Sequence, residues 1–408
     1  DPLAPQRIRT CVLPAELLTG LDGELHLVAA DADTGELLLD MGGDELVAPA
    51  SVVKLFTAVA ALRVLGPDYR FTTQVVQGDM PGEIWLVGGG DVTLTRAPAS
   101  NYYASESHLD SLARQTVESF IASGVALESL RVDSSRYDRF VQWDDSWRPG
   151  SAQLGYVAPV TALQVDGDRD QPAVRLSPRS LNPIARATTW FAEALGREAG
   201  VYPAVGEPGV APDAGVVLAE VSSAPLENLI EVMLIDSDNS LAEVIAREVA
   251  LIRGQASIGE AILGSTGLAE ELLSGATLRD GSGLSGLSAV SSHSIVALLQ
   301  LIESSGELEG VRDSLPVAGQ TGSLRNRFKR LEAEQQAAIV AKTGSIREVR
   351  SLAGFIGLPG DTALVFSAAV IGPTVTDETR NQIDQIVARF EECGENLSMP
   401  PIPVSSGF

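Results

Sequence analysis

Ser51 and Lys54 form an S-x-x-K pattern that opens a run of apolar residues. Residues three apart share one face of a helix, so the hydroxyl and the amine would be neighbours. A serine hydroxyl becomes nucleophilic when a base takes its proton, and a buried lysine loses its charge readily enough to be that base. The same pattern is also typical of a capped helix with a surface lysine, so alone it predicts little.

Two further motifs follow along the chain. An S-D-N motif at residues 237–239 lies at a break between two helical runs, where its hydroxyl and carboxamide can point into a cleft. A K-T-G motif at residues 342–344 follows a β run, and Gly344 would let a ligand backbone approach the strand edge. Each motif alone also fits an N-cap or a turn. The three together, in this order, predict one catalytic site.

These motifs must be positioned by the elements around them. Alternating apolar residues predict a β-hairpin over 25–40, and at Ser51 the period changes to that of a buried helix. Helical runs dominate 226–304, and three β runs over 337–371 predict an antiparallel meander that a helix over 377–393 would cover. The expected fold class is α/β in the α+β sense, with an antiparallel sheet flanked by helices.

Residues 73–222 differ from the rest of the chain in their residue pattern, which consists of short strand-like runs and polar loops. We interpret this block as an inserted, smaller β-rich domain, and residues 1–72 with 223–408 as the domain that carries the motifs. The glycine run at 88–90 lacks the spacing and the following helix of a nucleotide-binding loop, so it predicts a turn.

The chain resembles the penicillin-binding and serine β-lactamase superfamily, and more narrowly the low-molecular-mass class C penicillin-binding proteins, the D-alanyl-D-alanine carboxypeptidase/endopeptidase group. The resemblance covers nearly the whole chain. Besides the three motifs, it rests on the segments Leu86–Leu94, Tyr156–Leu163, Ser237–Glu243, Asp280–Ser285, Leu315–Gly319 and Leu324–Phe328. It implies the DD-peptidase fold with one insert, or with a second insert much reduced, because the interval between the first two motifs is shorter than in members with two inserted domains.

The resemblance also implies a serine mechanism without a cofactor. Ser51 would be the acylated nucleophile and Lys54 its base, kept neutral by desolvation and by Lys342. Ser237 would relay the proton to the leaving D-alanine amine. The implied substrate is the peptidoglycan stem peptide that ends in D-Ala-D-Ala, and β-lactam antibiotics would acylate the same serine.

Substrate contacts are implied in the same way. Asn239 would hold the acyl side-chain amide, and Thr343, beside Gly344, would bind the terminal carboxylate. The backbone N–H groups of Ser51 and Ser345 would form the oxyanion hole, and a helix N-terminus near Ser51 favours the negative charge that develops there.

A pocket for the diamino acid of the stem peptide is implied at the insert. Trp143, Asp145 and Trp147 are candidates there, and Asp144 is an alternative to Asp145. A solvated acidic loop with buried tryptophans explains the same residues equally well. Family members often carry an arginine where this chain has Gly286, so any substrate carboxylate held by that arginine must be bound otherwise.

Composition excludes several classes of function. The 408 residues include 29 basic and 54 acidic residues, a net charge of −25, which argues against nucleic acid and anionic membranes as partners. No apolar stretch reaches the length of about 18 residues that a transmembrane segment needs.

Two cysteines, Cys11 and Cys393, lie near opposite ends of the chain. A disulfide between them requires the termini to meet, and the alternative is two buried free thiols. Residues 1–5 lack an initiator methionine and a basic segment, as in a chain from which a signal or anchor has been removed. We therefore expect an extracytoplasmic location, periplasmic or associated with the cell wall.

Three alternatives stay open. A serine β-lactamase would hydrolyse penicillin. A non-catalytic peptidoglycan-binding protein would not need both lysines. An esterase would accept acyl chains without a free carboxylate, so Thr343→Val would scarcely change its activity. The three histidines, His26, His108 and His293, form no Ser-His-Asp arrangement because no G-x-S-x-G motif is present. No sequence motif for a metal is present, so we expect no metal in the reaction.

Overall fold

The computed structural model describes residues 9–98, 102–358 and 363–398. The helices in these residues are α1 Val53–Leu65, α2 Leu109–Ser123, α3 Pro183–Ala199, α4 Leu226–Ile235, α5 Asn239–Ile252, α6 Ile258–Leu263, α7 Ser292–Ser304, α8 Glu309–Asp313, α9 Ala333–Ala338 and α10 Asp377–Cys393. The strands are β1 Cys11–Val12, β2 Glu24–Asp31, β3 Leu37–Met41, β4 Thr72–Gln77, β5 Glu83–Val87, β6 Ser129–Asp133, β7 Ala204–Val205, β8 Val217–Ser222, β9 Ile339–Ile346, β10 Val349–Gly357, β11 Ala363–Ile371 and β12 Leu397–Ser398. Residues 1–5, on which the prediction of a removed signal or anchor rests, lie outside the described residues.

The chain divides into two compact units. The first unit comprises 1–60, 233–237 and 262–408, and the second comprises 61–232 and 238–261. These units cut the chain at other positions than the domain ranges predicted above, because 238–261 falls in the second unit. An insert over 73–222 therefore stays a prediction.

The first unit is built on a five-stranded antiparallel sheet in the order β3-β2-β11-β10-β9. On β11, Phe366 packs against Phe390 of α10, whereas the hydroxyl of the neighbouring Ser367 donates to Ser292 of α7. Because successive side chains of a strand point to opposite faces, these two helices cover opposite faces of the sheet. The predicted hairpin, meander and covering helix are confirmed.

Strand β9, which carries the K-T-G motif, lies at an edge of this sheet. Among the described residues its partner strand is β10 alone, apart from a single bridge between Val340 and Val317. The outer edge of residues 342–346 therefore presents backbone groups that no strand of the described chain covers. The strand begins at Ile339, later than predicted, because the preceding residues form α9.

The second unit contains a mixed sheet in the order β7-β6-β5-β4-β8, in which β5, β6 and β7 run parallel. Parallel neighbours need a crossover, and α2 and α3 supply it, packing in one core with the sheet. The face of α2 that packs in this core comprises Leu109, Leu112, Ala113, Thr116, Val117 and Phe120. This block is therefore richer in helix than the predicted β-rich domain, and the missed signal was this helical spacing.

The ends of the first unit are joined covalently. Cys11 in β1 and Cys393 at the end of α10 form a disulfide, and β1 pairs with β12. Of the two alternatives for these cysteines, the structure therefore has the bonded one. Within the described residues, no helix has the length and apolarity to cross a membrane.

Candidate active site

Ser51 lies in a single 3-10 turn, Ala50–Val52, that leads into α1. Lys54 follows in the first turn of α1, and its Nζ donates a hydrogen bond to the Oγ of Ser51 at 3.0 Å. The side chain of Lys54 is fully buried, whereas Ser51 is partly exposed. The S-x-x-K spacing thus places a buried amine against an accessible hydroxyl.

Two glycines let the backbone before Ser51 pack closely. Ala50 has a φ of 48°, in the left-handed region. A Cβ on Gly283 would lie 1.9 Å from the carbonyl oxygen of Ala50, and a Cβ on Gly344 would lie 2.7 Å from that of Pro49. Both positions require glycine because the serine-bearing turn rests directly on their backbones. For Gly344 this reason differs from the predicted one, which was room for a ligand.

The loop over residues 280–285 supplies a second partner for Lys54. The carbonyl oxygen of Ser282 accepts a hydrogen bond from the Nζ of Lys54 at 2.6 Å. The carboxylate of Asp280 accepts one from the N–H of Gly283 at 2.7 Å, which holds the loop in its turn. The D-G-S-G-L-S motif therefore binds the lysine, a contact that the sequence reasoning missed.

Ser237 and Lys342 form a second pair of hydroxyl and amine in the same unit. Ser237 follows α4 in the chain and has a φ of 57°, an uncommon conformation for serine. Its Oγ accepts a hydrogen bond from the Nζ of Lys342 at 2.9 Å. The same Nζ donates to the carbonyl oxygen of Thr343 at 3.0 Å. The S-D-N and K-T-G motifs therefore meet.

The surroundings of Lys342 make its ammonium a stronger acid than that of an exposed lysine. Burial lowers the pKa of this amine well below its ordinary value of 10.5, and a positive charge on Lys54, once that lysine has taken a proton, lowers the pKa further. Among the described residues no carboxylate pairs with Lys342. The chain has three lysines, and these two are both fully buried. A buried amine held by neutral oxygens is suited to proton transfer.

Thr343 and Ser345 lie two residues apart on β9 and therefore on one face of the strand. The Oγ1 of Thr343 donates a hydrogen bond to the Oγ of Ser323 at 2.8 Å, and Ser345 is exposed. The sequence reasoning missed Ser323. The signal that could have identified it is its position between two segments that carry the family resemblance, Leu315–Gly319 and Leu324–Phe328. The two hydroxyls of Thr343 and Ser323 form one polar patch at the strand edge.

Asn239 begins α5 and belongs to the second unit. Its Nδ2 donates a hydrogen bond to the carbonyl oxygen of Tyr156 at 3.1 Å. The neighbouring Asp238 caps α5 by accepting from the N–H of Leu241 at 2.9 Å, and its other oxygen contacts the fully buried Arg169 at 2.9 Å. No motif pointed to Arg169, and the role of Asn239 toward substrate stays a prediction.

The candidates for a diamino-acid pocket also lie in the second unit. The rings of Trp143 and Trp147 pack edge to face, with centroids 5.2 Å apart. Asp144 is buried, and its carboxylate accepts from the N–H of Ser146 at 2.9 Å, whereas Asp145 is exposed. Of the two acidic residues, Asp145 is thus the one that presents its carboxylate to solvent. Its binding role stays a prediction.

Comparison with known proteins identifies the family. Residues 20–180 and 168–392 match the model of the D-Ala-D-Ala carboxypeptidase 3 (S13) family. Carboxypeptidase DacB of Mycolicibacterium smegmatis is 35% identical over 391 residues, covering 89% of this chain and 79% of the relative. The D-alanyl-D-alanine carboxypeptidase of an Actinomadura species is 30% identical over 430 residues, covering 84% of this chain and 76% of the relative.

The fold is also that of a solved relative. Penicillin binding protein 4 (dacB) from Haemophilus influenzae superposes with a TM-score of 0.74 at 18% identity, covering 91% of this chain and 98% of that one. Its complex with a novel β-lactam gives a TM-score of 0.70 at 19% identity, with the same coverage. The predicted fold class and family are confirmed. This chain belongs to the D-Ala-D-Ala carboxypeptidase 3 (S13) family and is a serine-type DD-carboxypeptidase.

Proposed function

We propose that this enzyme cleaves the D-Ala-D-Ala end of peptidoglycan stem peptides through an acyl-enzyme on Ser51, outside the cytoplasm. The proposal is carried by the 3.0 Å hydrogen bond between the Oγ of Ser51 and the Nζ of Lys54, because it joins an accessible hydroxyl to a buried amine. The family, and the similarity to the D-alanyl-D-alanine carboxypeptidase of Actinomadura, support the substrate class.

In acylation, Lys54 acts as a neutral amine and takes the hydroxyl proton of Ser51, whose Oγ bonds to the carbonyl carbon of the penultimate D-alanine. The C–N bond to the terminal D-alanine breaks, and its amine receives a proton from Ser237, which regains one from Lys342. The lowered pKa of Lys342 makes its ammonium a stronger acid and so a better donor. Water then attacks the ester carbonyl and its proton passes to the neutral Lys342, while the ammonium of Lys54 returns its proton to the Oγ of Ser51 as the ester bond breaks, so that both lysines regain their starting states.

The edge of β9 is the proposed binding site for the peptide. An extended substrate can pair with an uncovered strand edge through its backbone. The N–H groups of Ser51 and Ser345 would stabilise the oxyanion, each donor contributing about 3 kcal/mol. The hydroxyls of Thr343 and Ser323 would bind the terminal carboxylate. Thr343→Val should therefore raise KM for a D-Ala-D-Ala peptide more than for an ester without a carboxylate.

A pocket for the diamino acid of the stem peptide is proposed around Trp143 and Asp145. The exposed carboxylate of Asp145 supports it, because the side-chain amine of such a residue is cationic. Asp145→Asn should lower kcat/KM for a diamino-acid peptide and spare a peptide without that amine. The matched control is Asp138→Asn, an exposed aspartate of the same unit. If both variants turn over both peptides as the wild type does, the pocket lies elsewhere.

The decisive experiment is the intact mass of wild type and Ser51→Ala after incubation with benzylpenicillin, alongside D-alanine release from a synthetic D-Ala-D-Ala peptide. We expect one stable adduct and D-alanine release with the wild type, and neither with the variant. Consumption of the drug without an adduct would indicate a β-lactamase. Intact drug and no adduct would indicate a binding protein without catalysis.

A further inference from the structure

Three metal-ligating side chains converge at the open end of the β2–β3 hairpin. Glu24 and His26 are two residues apart on β2 and so project on one side of the strand. Glu45 follows β3, and the antiparallel pairing of β2 with β3 brings it alongside them. The ligand atoms of Glu24, His26 and Glu45 all lie within 4.8 Å of one another.

This cluster combines a buried imidazole with two carboxylates that contact no lysine or arginine among the described residues. His26 is 2% exposed, and its Nδ1 lies 3.3 Å from the carbonyl oxygen of Gly42 and 3.8 Å from the Oε2 of Glu45. In the part of the chain that the structure describes, neither Glu24 nor Glu45 pairs with a lysine or arginine. Two carboxylates therefore face one buried imidazole.

Space between these groups is kept open by Gly42. A Cβ at this position would lie 3.0 Å from the Nδ1 of His26 and 3.7 Å from the Oε1 of Glu45. Any larger residue would place its side chain between the imidazole and the carboxylate. The gap is thus a property of the local sequence as well as of the fold.

A second histidine, His293, lies beside the segment that follows β3 and has different contacts. His293 contacts Asp40 through Nε2 at 2.9 Å and Asp44 through Nδ1 at 3.1 Å, so both ring nitrogens already face carboxylates. The contacts of His26 are longer: its Nδ1 lies 3.3 Å from the carbonyl oxygen of Gly42 and 3.8 Å from the Oε2 of Glu45, which leaves room for a cation between the ring and the carboxylate.

We propose that Glu24, His26 and Glu45 bind one divalent transition-metal ion, with water completing its coordination. One imidazole nitrogen and two carboxylates are a ligand set for Zn²⁺ and its neighbours, whereas Mg²⁺ and Ca²⁺ prefer oxygen ligands alone. The ion would tie the segment after β3 to the start of β2. This site is independent of the serine chemistry proposed above.

The test is isothermal titration of the metal-free full chain, without an affinity tag, with ZnCl₂. We expect one Zn²⁺ per chain, a tenfold or greater loss of affinity in Glu24→Gln and in Glu45→Gln, and no competition from millimolar Mg²⁺. Asp33→Asn, an exposed aspartate at the other end of the same hairpin, and His293→Asn should bind as the wild type does.

Ligation by His26 is read without replacing this buried residue, by the shift of its ring signals in NMR spectra on addition of Zn²⁺. Absence of binding by the wild type, unchanged affinity in both glutamate variants, or loss of binding in His293→Asn would each overturn the proposal. Acylation by benzylpenicillin should be the same with and without Zn²⁺, which separates this result from any failure of the serine mechanism.

Discussion

Each compact unit buries a cation beside a motif residue, and the two units do so in opposite ways. In the first, Lys342 is fully buried and donates to two neutral oxygens. In the second, Arg169 is fully buried against the carboxylate of Asp238 at 2.9 Å, with its guanidinium over the rings of Tyr102 and Tyr103.

The difference shows what a carboxylate does to a buried charge. Burial by itself would raise the pKa of Asp238, but the charges of Arg169 and Arg179 outweigh it and hold the pKa below its usual value. The guanidinium does not lose its proton, so this pair is a fixed structural charge. Lys342 has no carboxylate among the described residues, and its pKa falls. Arg169 holds the carboxylate of Asp238 in place, whereas Lys342 can exchange a proton.

The largest effect is expected from Lys342→Met. We expect acylation by benzylpenicillin to slow about 1,000-fold because the proton donor is lost. The free energy of unfolding should rise by about 1 kcal/mol, because the variant has no amine to desolvate. Stopped-flow acylation and urea unfolding measure the two effects. Lys329→Met, at the exposed third lysine, is the control. A fall in stability instead would make Lys342 a structural residue and remove the contrast.

The opposite effect on stability is expected from Asp238→Asn. Removing the charge leaves Arg169 buried without its carboxylate, and we expect the free energy of unfolding to fall by about 3 kcal/mol. Urea unfolding of this variant is compared with Asp213→Asn, an exposed aspartate of the same unit. Equal, small losses in both variants would mean that the ion pair does not stabilise the second unit.

The first unit positions Ser51 by close contact between backbones, whereas the second unit holds Asp238 by the charge of Arg169. The variant Gly283→Ala tests the backbone contact. The added Cβ would displace the carbonyl of Ala50, so we expect acylation to slow about 100-fold. Gly286→Ala is the matched control, because its Cβ would meet only the Cδ1 of Ile346 at 3.6 Å. Similar rates in the two variants would show that the turn tolerates movement.

The smallest effect is expected in the pH dependence of stability. The folded pKa of Lys342 lies below its unfolded value of 10.5, so between the two the unfolded chain binds more protons and stability rises with pH. Asp238 has a folded pKa below 3.8, so its contribution is present above that pH and is lost as the pH falls through the folded pKa. In urea unfolding measured across pH, the rise of stability with pH that Lys342 causes should be absent from Lys342→Met and present in the wild type and in Asp238→Asn. A slope that survives in that variant belongs to other groups.

Features that depend on neighbours in the sequence were predicted well. The helix α10 spans Asp377–Cys393 as predicted, and the hairpin and meander strands lie where the alternation placed them. The contact of Ser51 with Lys54 also follows from their spacing on a helix. Local periodicity carries this information because it reflects which side of an element is buried.

Several features that depend on distant contacts were not predicted. The pair of Arg169 and Asp238 joins residues 69 apart, and neither the motif nor the local period identifies the arginine. The contact of Ser323 with Thr343 and the close packing of Gly344 against the Pro49 carbonyl were missed for the same reason. The disulfide was left open because only the fold brings Cys11 to Cys393.

The order of the amino acids is enough to tell which reactive groups the protein has and which of them are neighbours along a helix or strand. Which of these groups are buried, and what faces them, depends on how the folded elements pack. Lys342 and Arg169 are both basic residues in the sequence, but among the residues that the structure describes a carboxylate contacts Arg169 and none contacts Lys342. Since burial and nearby charge set a pKa, the proton chemistry of this site was decided by packing.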